Sequence, residues 1–277
     1  MVNLSYPLVL LKLGEVAVFF FAGFLLESAL ETSKKRETPV YRGSVYFNCF
    51  YTVFFIVPEM IAGAWLSLYL SELISVWRWN APISLSFSDH GVFTFAILIA
   101  FGWALIRDFF HYWIHRLEHT KWFWPIHALH HSDESMNVTT TKRHHWLAGP
   151  LNAALITVPT TLLFHTPALS FPIAFLLAEC YEFFIHCDVR IGFGPLGWIF
   201  VSPQLHRIHH SRLPEHVDKN FAAYFSLWDV IFGTYYHPQK NEYPPTGVSP
   251  PANRLDLYYG VAMPFAAWRQ MLRRQPS

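Results

Sequence analysis

Long apolar segments constrain this chain more than any other feature of its sequence. From Leu8 to Leu30 nearly every residue is apolar, and 23 residues at about 1.5 Å each are long enough to cross a bilayer as a helix. Only 14% of the residues are charged, roughly half the usual share in a globular domain. We therefore expect an all-α, integral membrane helical protein with spans at about 8–30, 45–74 and 92–110.

Two shorter apolar segments, 147–164 and 168–185, have 18 residues each and are joined at 165–167. Eighteen residues is the lower limit for a spanning helix, so 147–185 is predicted to be a helical hairpin that either crosses the membrane twice or only enters it. Both alternatives place its two ends on the same side. The histidine-rich segments 111–146 and 186–277 are then expected to form one cap on a membrane base, within a single domain covering 1–277.

Positive charge in the loops predicts the orientation of such a protein. The run Lys34-Lys35-Arg36 and most other basic residues fall on the histidine-bearing side if the spans alternate, whereas Lys12 and Arg78 fall on or toward the other side. This predicts a cytosolic cap and an outer N-terminus, in a bacterial inner membrane or the endoplasmic reticulum. No lysine or arginine precedes the first span, which is therefore interpreted as a retained anchor rather than a signal peptide.

The remaining composition excludes several classes of protein. A formal net charge of +1 offers no electrostatic attraction for nucleic acid. Three cysteines without a C-x-x-C pair argue against a disulfide framework and against a thiolate zinc site. Histidine, in contrast, is abundant, with 16 residues against 20 basic and 19 acidic ones. Because imidazole binds metals and transfers protons near neutral pH, the histidines are the candidate functional residues.

Most of these histidines fall into three clusters with helical spacing. In the first, they recur every fourth residue along the third apolar helix, on one face. The second and third both have the pattern H-x-x-H-H after a proline near a predicted helix start, and Ser202 is placed as an N-cap of the third. The clusters are His111, His115 and His119; His127, His130 and His131; and His206, His209 and His210.

Eight or more imidazoles from three helices exceed the four ligands of a usual zinc site and can hold two metal ions. Nitrogen ligands suit iron, copper or zinc. The clusters contain few acids, unlike the Glu-x-x-His motifs of carboxylate-bridged di-iron bundles. Carboxylates outside the clusters can orient metal-bound imidazoles, and the sequence does not choose among five candidates: Asp108, Glu118, Glu182, Asp188 and Asp229.

Three other interpretations use the same histidines. The string His115-Arg116-Leu117-Glu118-His119 matches the H-x-x-E-H motif of a zinc-dependent hydrolase, but leaves the other clusters without a role. Bis-histidine haem ligation requires histidines on facing helices inside the bilayer. A metal transporter or sensor requires ionisable residues aligned along the spans, whereas the sequence scatters them at Lys12, Glu15, Glu59 and Glu179.

The three boxes, H-x-x-x-H followed by two H-x-x-H-H segments, resemble those of the fatty acid hydroxylase/sterol desaturase superfamily of membrane histidine-box di-iron oxygenases. The similarity extends over about 107–234 and includes Asp108 with Tyr112, His186 and the string Asp218-Lys219-Asn220-Phe221. The segments 130–137 and 194–200 are most similar to the alkylglycerol monooxygenase branch.

The resemblance implies a non-haem di-iron centre that uses O2 and two electrons to hydroxylate or desaturate a C–H site of a membrane lipid of the fatty acyl, alkylglycerol or sterol type. Imidazole sites accept zinc as well as iron, so zinc is expected in some purified preparations. His186 is implied as a further metal ligand, and the roles of His111, His144 and His145 stay open. The implied catalytic and metal-binding residues are His115, His119, His127, His130, His131, His206, His209 and His210.

The superfamily also needs a source of electrons. The chain has neither the length nor the cysteines for a fused cytochrome b5 or ferredoxin domain, so a separate electron-transfer protein or reductant is expected, with a pterin left open. The oligomeric state also stays open. The C-terminal run 255–272 is amphipathic and is expected to lie at the membrane interface.

Overall fold

The computed structural model describes residues 6–30, 38–76, 83–84, 92–165, 170–249 and 256–273. The predicted all-α class is confirmed, and the described part contains two strands of two residues each. The elements are α1 (Tyr6–Ala29), α2 (Pro39–Val76), β1 (Ile83–Ser84), α3 (Val92–Glu118), α4 (Trp124–His131), α5 (Ala148–Asn152), α6 (Val158–Leu163), β2 (Phe164–His165), α7 (Ser170–His186), α8 (Pro203–His209), α9 (Leu227–Phe232) and α10 (Leu257–Arg273).

Three helices are long and apolar enough to cross a membrane, over Val9–Ala29, Pro39–Ala62 and Ile97–Glu118. Their outward side chains are large and apolar: Leu11 and Phe21 are 68% and 66% exposed. Such a surface is stable against lipid rather than water. The helix α2 begins before the predicted second span, and α3 continues beyond the predicted third span, so the domain and span bounds given above stay predictions.

The segment 148–163 is not one continuous helix. Between α5 and α6 lies a π-helical turn, Ala153–Thr157, shortly before Pro159. Proline has no N–H to donate, and its ring crowds the carbonyl four residues earlier, which belongs to Leu155 in this turn. After α6, β2 pairs in parallel with β1, placing Phe164 opposite Ile83.

Buried polar side chains fasten α2 to the segment that follows α4. Arg143 is fully buried; its Nη1 donates to Asn48 Oδ1 at 2.8 Å and its Nε to the Leu129 carbonyl at 3.0 Å. Ser44 Oγ and Asn48 Nδ2 donate to the Asp133 carboxylate at 2.7 and 3.0 Å. These bonds fix the position of α4, which carries the second histidine cluster.

The C-terminal helix α10 packs against α4 and its flanking loops. Trp268 Nε1 donates to the Trp122 carbonyl at 2.7 Å, and His145 Nε2 lies 3.1 Å from the Val261 carbonyl. One side of α10 remains apolar and exposed, since Phe265 and Leu272 are 48% and 63% exposed. This distribution fits the amphipathic helix expected there.

Three of the ionisable residues that are scattered along the sequence, Lys12, Glu15 and Glu179, meet in the folded protein, although they are not part of the histidine clusters. Lys12 Nζ on α1 lies 3.2 Å from Glu15 and 2.9 Å from Glu179 on α7, and Lys142 Nζ lies 3.1 Å from Glu179. Residues far apart in the chain meet because α1 packs along α7, which periodicity within one helix does not reveal.

Candidate metal centre

The structure brings the nine predicted metal-binding histidines into two adjacent groups. Within each group, one ring nitrogen of every histidine lies within 4.8 Å of all the others. We call the larger set the first group and the smaller set the second group. The first group is His115, His119, His127, His131 and His209; the second is His130, His186, His206 and His210.

Four helices supply these side chains. The last turn of α3 carries His115, His119 directly follows this helix, and the last residue of α7 is His186. The short helices α4 and α8 carry the others, with His210 as the C-cap of α8, and both helices have a proline at their start. The predicted N-cap of α8 is present, because Ser202 Oγ accepts the Leu205 N–H at 3.2 Å. The prolines, together with the Ser202 N-cap, thus place the start of each short helix just before its histidines.

Each H-x-x-H-H box contributes to both groups. In α4, His127 and His131 are one helical turn apart and join the first group, while His130 joins the second. In α8 the assignment is reversed: His206 and His210 join the second group and His209 joins the first. The two boxes therefore face each other with exchanged roles.

Hydrogen bonds at Nδ1 determine which ring nitrogens face the interior of the groups. The Nδ1 atoms of His115, His209 and His186 lie 2.6, 2.8 and 2.7 Å from the carbonyl oxygens of Phe221, Lys219 and Glu182. A carbonyl only accepts, so each Nδ1 carries the proton of its neutral imidazole. The Nε2 atom of each ring is then a lone-pair donor, as metal ligation requires.

The Nε2 atoms approach one another too closely for protons alone to satisfy them. His127 Nε2 lies 3.0 Å from both His115 Nε2 and His131 Nε2, and His186 Nε2 lies 2.9 Å from His206 Nε2. One N–H serves only one such contact. Ligands at about 2.1 Å from a shared ion stand roughly 3.0–3.4 Å apart, which is the observed spacing.

One further atom fits the same interpretation. His209 Nε2 is buried and has no hydrogen-bond partner among the described residues. An orphaned lone pair is costly in a protein interior unless a cation is bound. The donor set therefore fits two metal ions, one in each group.

Burial and neighbouring imidazoles keep these side chains neutral. Desolvation, followed by the charges of the adjacent histidines, holds the pKa values of His127, His130 and His131 well below the usual range. The pKa values of His206, His209 and His210 are lowered by the same causes. Neutral imidazoles offer lone pairs without adding negative charge, so bound ions would retain a high positive charge.

Few carboxylates contact the clustered rings. Glu118 is one of the five candidate carboxylates named from the sequence. Its Oε2 lies 3.3 Å from Nδ1 of the clustered His127 ring. Asp218 Oδ1 lies 3.2 Å from His119 Nδ1. Its role was missed in the sequence, although the string 218–221 was noted, because nothing local shows that this loop folds back over α3.

Two other candidate carboxylates act on the backbone instead. Asp108 accepts N–H bonds from Ala223, Tyr224 and Phe225 at 2.7–3.2 Å, and Asp229 accepts from Phe221 at 2.7 Å. These bonds hold the loop whose Phe221 carbonyl orients His115.

The last two candidates make other contacts. Asp188 pairs with Arg207 at 3.0 Å. The Glu182 carboxylate accepts from Tyr224 Oη at 2.5 Å, while its backbone carbonyl orients His186.

Residues 100–234 match the family model described as fatty acid hydroxylase. This segment belongs to the fatty acid hydroxylase family. It contains all three histidine boxes and His186. The resemblance inferred from the boxes is therefore confirmed, including the branch within the superfamily, because several curated relatives are alkylglycerol monooxygenases.

Three relatives illustrate the extent of the similarity. Alkylglycerol monooxygenase of Xenopus tropicalis is 27% identical over 82% of this chain and 48% of its own length. The Homo sapiens alkylglycerol monooxygenase is 33% identical over 54% of this chain and 33% of its own length. Ornithine lipid hydroxylase OlsE of Rhizobium tropici is 35% identical over 49% of this chain and 41% of its own length. The chain thus spans less than half of each relative. No solved structure matches it significantly.

The histidines left open by the sequence lie in different places around the fatty acid hydroxylase segment. His144 stacks on His130 with ring centroids 4.1 Å apart, and His111 Nδ1 lies 4.0 Å from Asp108 outside both groups. His145 Nδ1 accepts the Leu147 N–H and its Nε2 faces the Val261 carbonyl, so both ring nitrogens of His145 contact backbone groups. His216 lies between Ser211 and Glu242. His90 lies outside the described residues.

Two cavities reach the histidine groups of the hydroxylase segment from different sides. A cavity of about 120 Å³ touches both groups and is bordered by α3, the π-helical turn and α7. A wider pocket of about 510 Å³ touches the first group only, at His119, His131 and His209, beside Trp124. The 120 Å³ cavity is therefore the place where a small molecule could contact both groups together.

Proposed function

We propose that this chain is a membrane-bound, non-haem di-iron oxygenase that uses O2 and two electrons to hydroxylate or desaturate a C–H site of a lipid. The observation that carries the proposal is the pair of histidine groups, with converging Nε2 atoms, around one cavity in a fatty acid hydroxylase segment. Relatives named alkylglycerol monooxygenase and ornithine lipid hydroxylase support an oxidoreductase that acts on lipids.

The nine clustered histidines would hold the metal, with the eight box histidines also as the catalytic set. Two iron ions held by these residues would supply the O2 activation that protein side chains cannot perform. The chain positions the rings: the carbonyls of Phe221, Lys219 and Glu182 fix three tautomers, and Glu118 and Asp218 approach two further rings. Such outer partners orient ligands and set their basicity.

The substrate is expected to be a fatty acyl, alkylglycerol or sterol lipid that enters from the bilayer. The 120 Å³ cavity is bordered by α3 and α7 and lined in part by the apolar side chains Ile156, Ile185 and Ala223. A chain entering between helices reaches this cavity without being transferred into water. Its other walls combine imidazoles with polar and charged side chains, among them Arg107, Glu118 and Glu182.

Electrons would come from a separate electron-transfer protein or reductant, with a pterin among the candidates. The 510 Å³ pocket gives such a donor access to the first group, since it ends on His119, His131 and His209. Trp124 lies 5.2 Å from the His119 ring in the same pocket. We propose that the cap faces the cytosol, of a bacterial cell or at the endoplasmic reticulum, where reductants are available.

Metal analysis and O2 consumption test this function together. Purified protein reconstituted with Fe²⁺ is expected to hold about two metal ions per chain and to consume O2 with a reductant and lipid extract. His130→Ala and His209→Ala remove one ligand from each group and should lower turnover at least about 100-fold. His237→Ala, an exposed histidine outside both groups, is the control. Full activity in both ligand variants would contradict the proposal.

Comparative lipidomics of cells with and without the gene would identify the substrate and the reaction. A gain of one oxygen indicates hydroxylation, and a loss of two hydrogens indicates desaturation. Metal flux across vesicles without O2 consumption would instead favour the transporter interpretation.

A further inference from the structure

Two polar atoms, Asn152 Oδ1 and His111 Nδ1, border the 120 Å³ cavity and have no hydrogen-bond partner among the described residues. Asp108 Oδ1 lies 4.0 Å from His111 Nδ1, which is too far for a hydrogen bond. Both atoms are buried and lie outside the two histidine groups. The other unpaired atoms in the described wall are on clustered histidines or on Glu118, which contacts His127. Unpaired polar atoms are costly in a protein interior, so Asn152 and His111 need an explanation.

The π-helical turn Ala153–Thr157 brings polar side chains to this cavity. Its Val158 N–H bonds to the Ala153 carbonyl, five residues earlier. In an α-helix, residues five apart point about 140° away from each other. The wider π turn stacks such residues on one face, and Asn152 and Thr157 accordingly both line the cavity. Because π turns inside helices are frequent at functional sites, this one indicates a polar binding surface.

The charged side chains of the cavity wall do not favour an anion. Arg107 Nη1 lies 3.5 Å from the Glu182 carboxylate, which also accepts from Tyr224 Oη at 2.5 Å. The other charged residue in the wall is Glu118. No lysine or arginine among the described lining residues is thus without a carboxylate. A carboxylate or phosphate group would be repelled here, whereas an uncharged hydroxyl, ether or ester group needs only hydrogen bonds.

His111 lies beside the first histidine group. It precedes His115 by one turn of α3, and the two ring centroids are 5.2 Å apart. About four carbon–carbon bonds span such a distance. Asn152 borders the same cavity, which also touches the second group. A polar group bound by Asn152 and His111 would therefore bring a carbon only a few bonds away to the clustered rings.

We propose that Asn152 and His111 bind the polar group of the lipid substrate and thereby select the carbon that is oxidised. The Asn152 amide has both an acceptor and donors, so it fits a hydroxyl, an ether oxygen or an ester oxygen. His111 Nδ1 supplies a second hydrogen bond to the same group. The inference rests on the proposed oxygenase function, and it narrows the substrate to lipids with an uncharged polar group close to the oxidised carbon.

Photolabelling tests the binding site without turnover. A 1-O-alkylglycerol that carries a diazirine beside the glycerol should label the segments 111–115 and 152–157 when no reductant is present. The isomer with the diazirine at the methyl end of the chain should label other segments. Because no lipid is oxidised without electrons, the result reports binding alone. Any other distribution, including equal labelling of these segments by both isomers, would overturn the proposal.

Competition tests the charge of the bound group. Unlabelled 1-O-alkylglycerol should reduce labelling of the two segments, whereas an alkyl phosphate of the same chain length should not. Equal competition by the two lipids would contradict the assignment of an uncharged group.

Thermal unfolding distinguishes a binding role of Asn152 from a structural one. Asn152→Leu is close to isosteric and removes an unpaired buried atom, so it should melt at least as high as wild type while it lowers labelling. Asn137→Leu is the matched control. Asn137 accepts the Thr139 N–H at 3.0 Å and donates to the Ser135 carbonyl at 2.7 Å, so this variant should melt lower. A melting temperature of Asn152→Leu as low as that of Asn137→Leu would overturn the proposal.

Product analysis tests the selection of the carbon. With alkylglycerols of increasing chain length, the reconstituted wild type should oxidise a carbon at a constant number of bonds from the glycerol. Asn152→Leu should raise KM about tenfold with a smaller change in kcat, and should give a mixture of product positions. His111→Leu should do the same with unchanged metal content. Loss of metal in His111→Leu would show that His111 is a ligand instead and would overturn its assignment.

These outcomes separate the two proposals. A product position that is constant from the methyl end would overturn the binding role of Asn152 and His111 and leave the oxygenase function intact. Metal-loaded wild type that consumes no O2 with any lipid would contradict the proposed function, a result that labelling without reductant neither requires nor shares.

Discussion

At the scale of single residues, the centre depends on the groups that hold each imidazole as much as on the imidazoles. Carbonyl acceptors at Phe221, Lys219 and Glu182 are backbone atoms and do not change with side-chain mutation. The carboxylates Glu118 and Asp218 do change, and they contact rings of the first group only. Mutation of either should therefore affect the two metals unequally.

Asp218→Asn should loosen the metal of the first group. The variant replaces a charged acceptor of His119 with a neutral one, and loss of such a partner costs about 10- to 100-fold in metal affinity; because Asp218 is 63% exposed, we expect the lower value. Titration with a chelator should show one of the two ions released at about tenfold lower chelator concentration. Glu215→Gln, on the same loop, is the control. Unchanged release of both ions would show that Asp218 does not support His119.

Asp108→Asn should destabilise the loop above the first group. The amide keeps one acceptor oxygen, yet the carboxylate accepts from three consecutive N–H groups in a fully buried site, so about 1–3 kcal/mol of folding free energy should be lost. Thermal unfolding of the metal-free protein measures this. Asp256→Asn, whose carboxylate accepts only from an exposed N–H, should change nothing. Equal stability of the two variants would contradict the role given to Asp108.

At the scale of elements, α4 and α8 are too short to be stable alone and depend on their ends and their packing. Proline and serine signals predicted their starts from the sequence, the spacing of the histidines gave the three boxes, and the family resemblance gave His186. The division of the boxes between two groups could not be predicted, since it depends on how α4 and α8 face each other. The meeting of Lys12 with Glu179 was missed for the same reason.

Ser202→Ala removes the N-cap of α8. Loss of a serine cap costs about 1 kcal/mol, so the melting temperature should fall, and both ions should be released more easily because α8 has ligands in both groups. Ser202→Thr keeps the oxygen and should retain most of the stability. Release of only one ion in Ser202→Ala would contradict the shared role of α8.

At the scale of the whole molecule, the metal ions should contribute to stability as well as to activity. Nine imidazoles, eight of them buried and His119 partly buried, pack against one another with nitrogen lone pairs that cations would satisfy. Binding to the folded state alone stabilises it by about 2.7 kcal/mol per site at a hundredfold excess over the dissociation constant. Chelation should therefore lower the melting temperature in detergent, and Fe²⁺ or Zn²⁺ should restore it. His130→Ala combined with His209→Ala should melt alike with and without chelator.

The exchange of roles between the two H-x-x-H-H boxes has a geometric consequence for the ions. Each of the two short helices donates rings to both groups from within a single turn. The separation of two bound ions would therefore be set by the pitch of those helices and not by the distance between movable parts of the chain. Thermal motion that shifts α4 or α8 as a rigid body moves ligands of both ions together, so the inter-ion distance should vary less than the position of either ion.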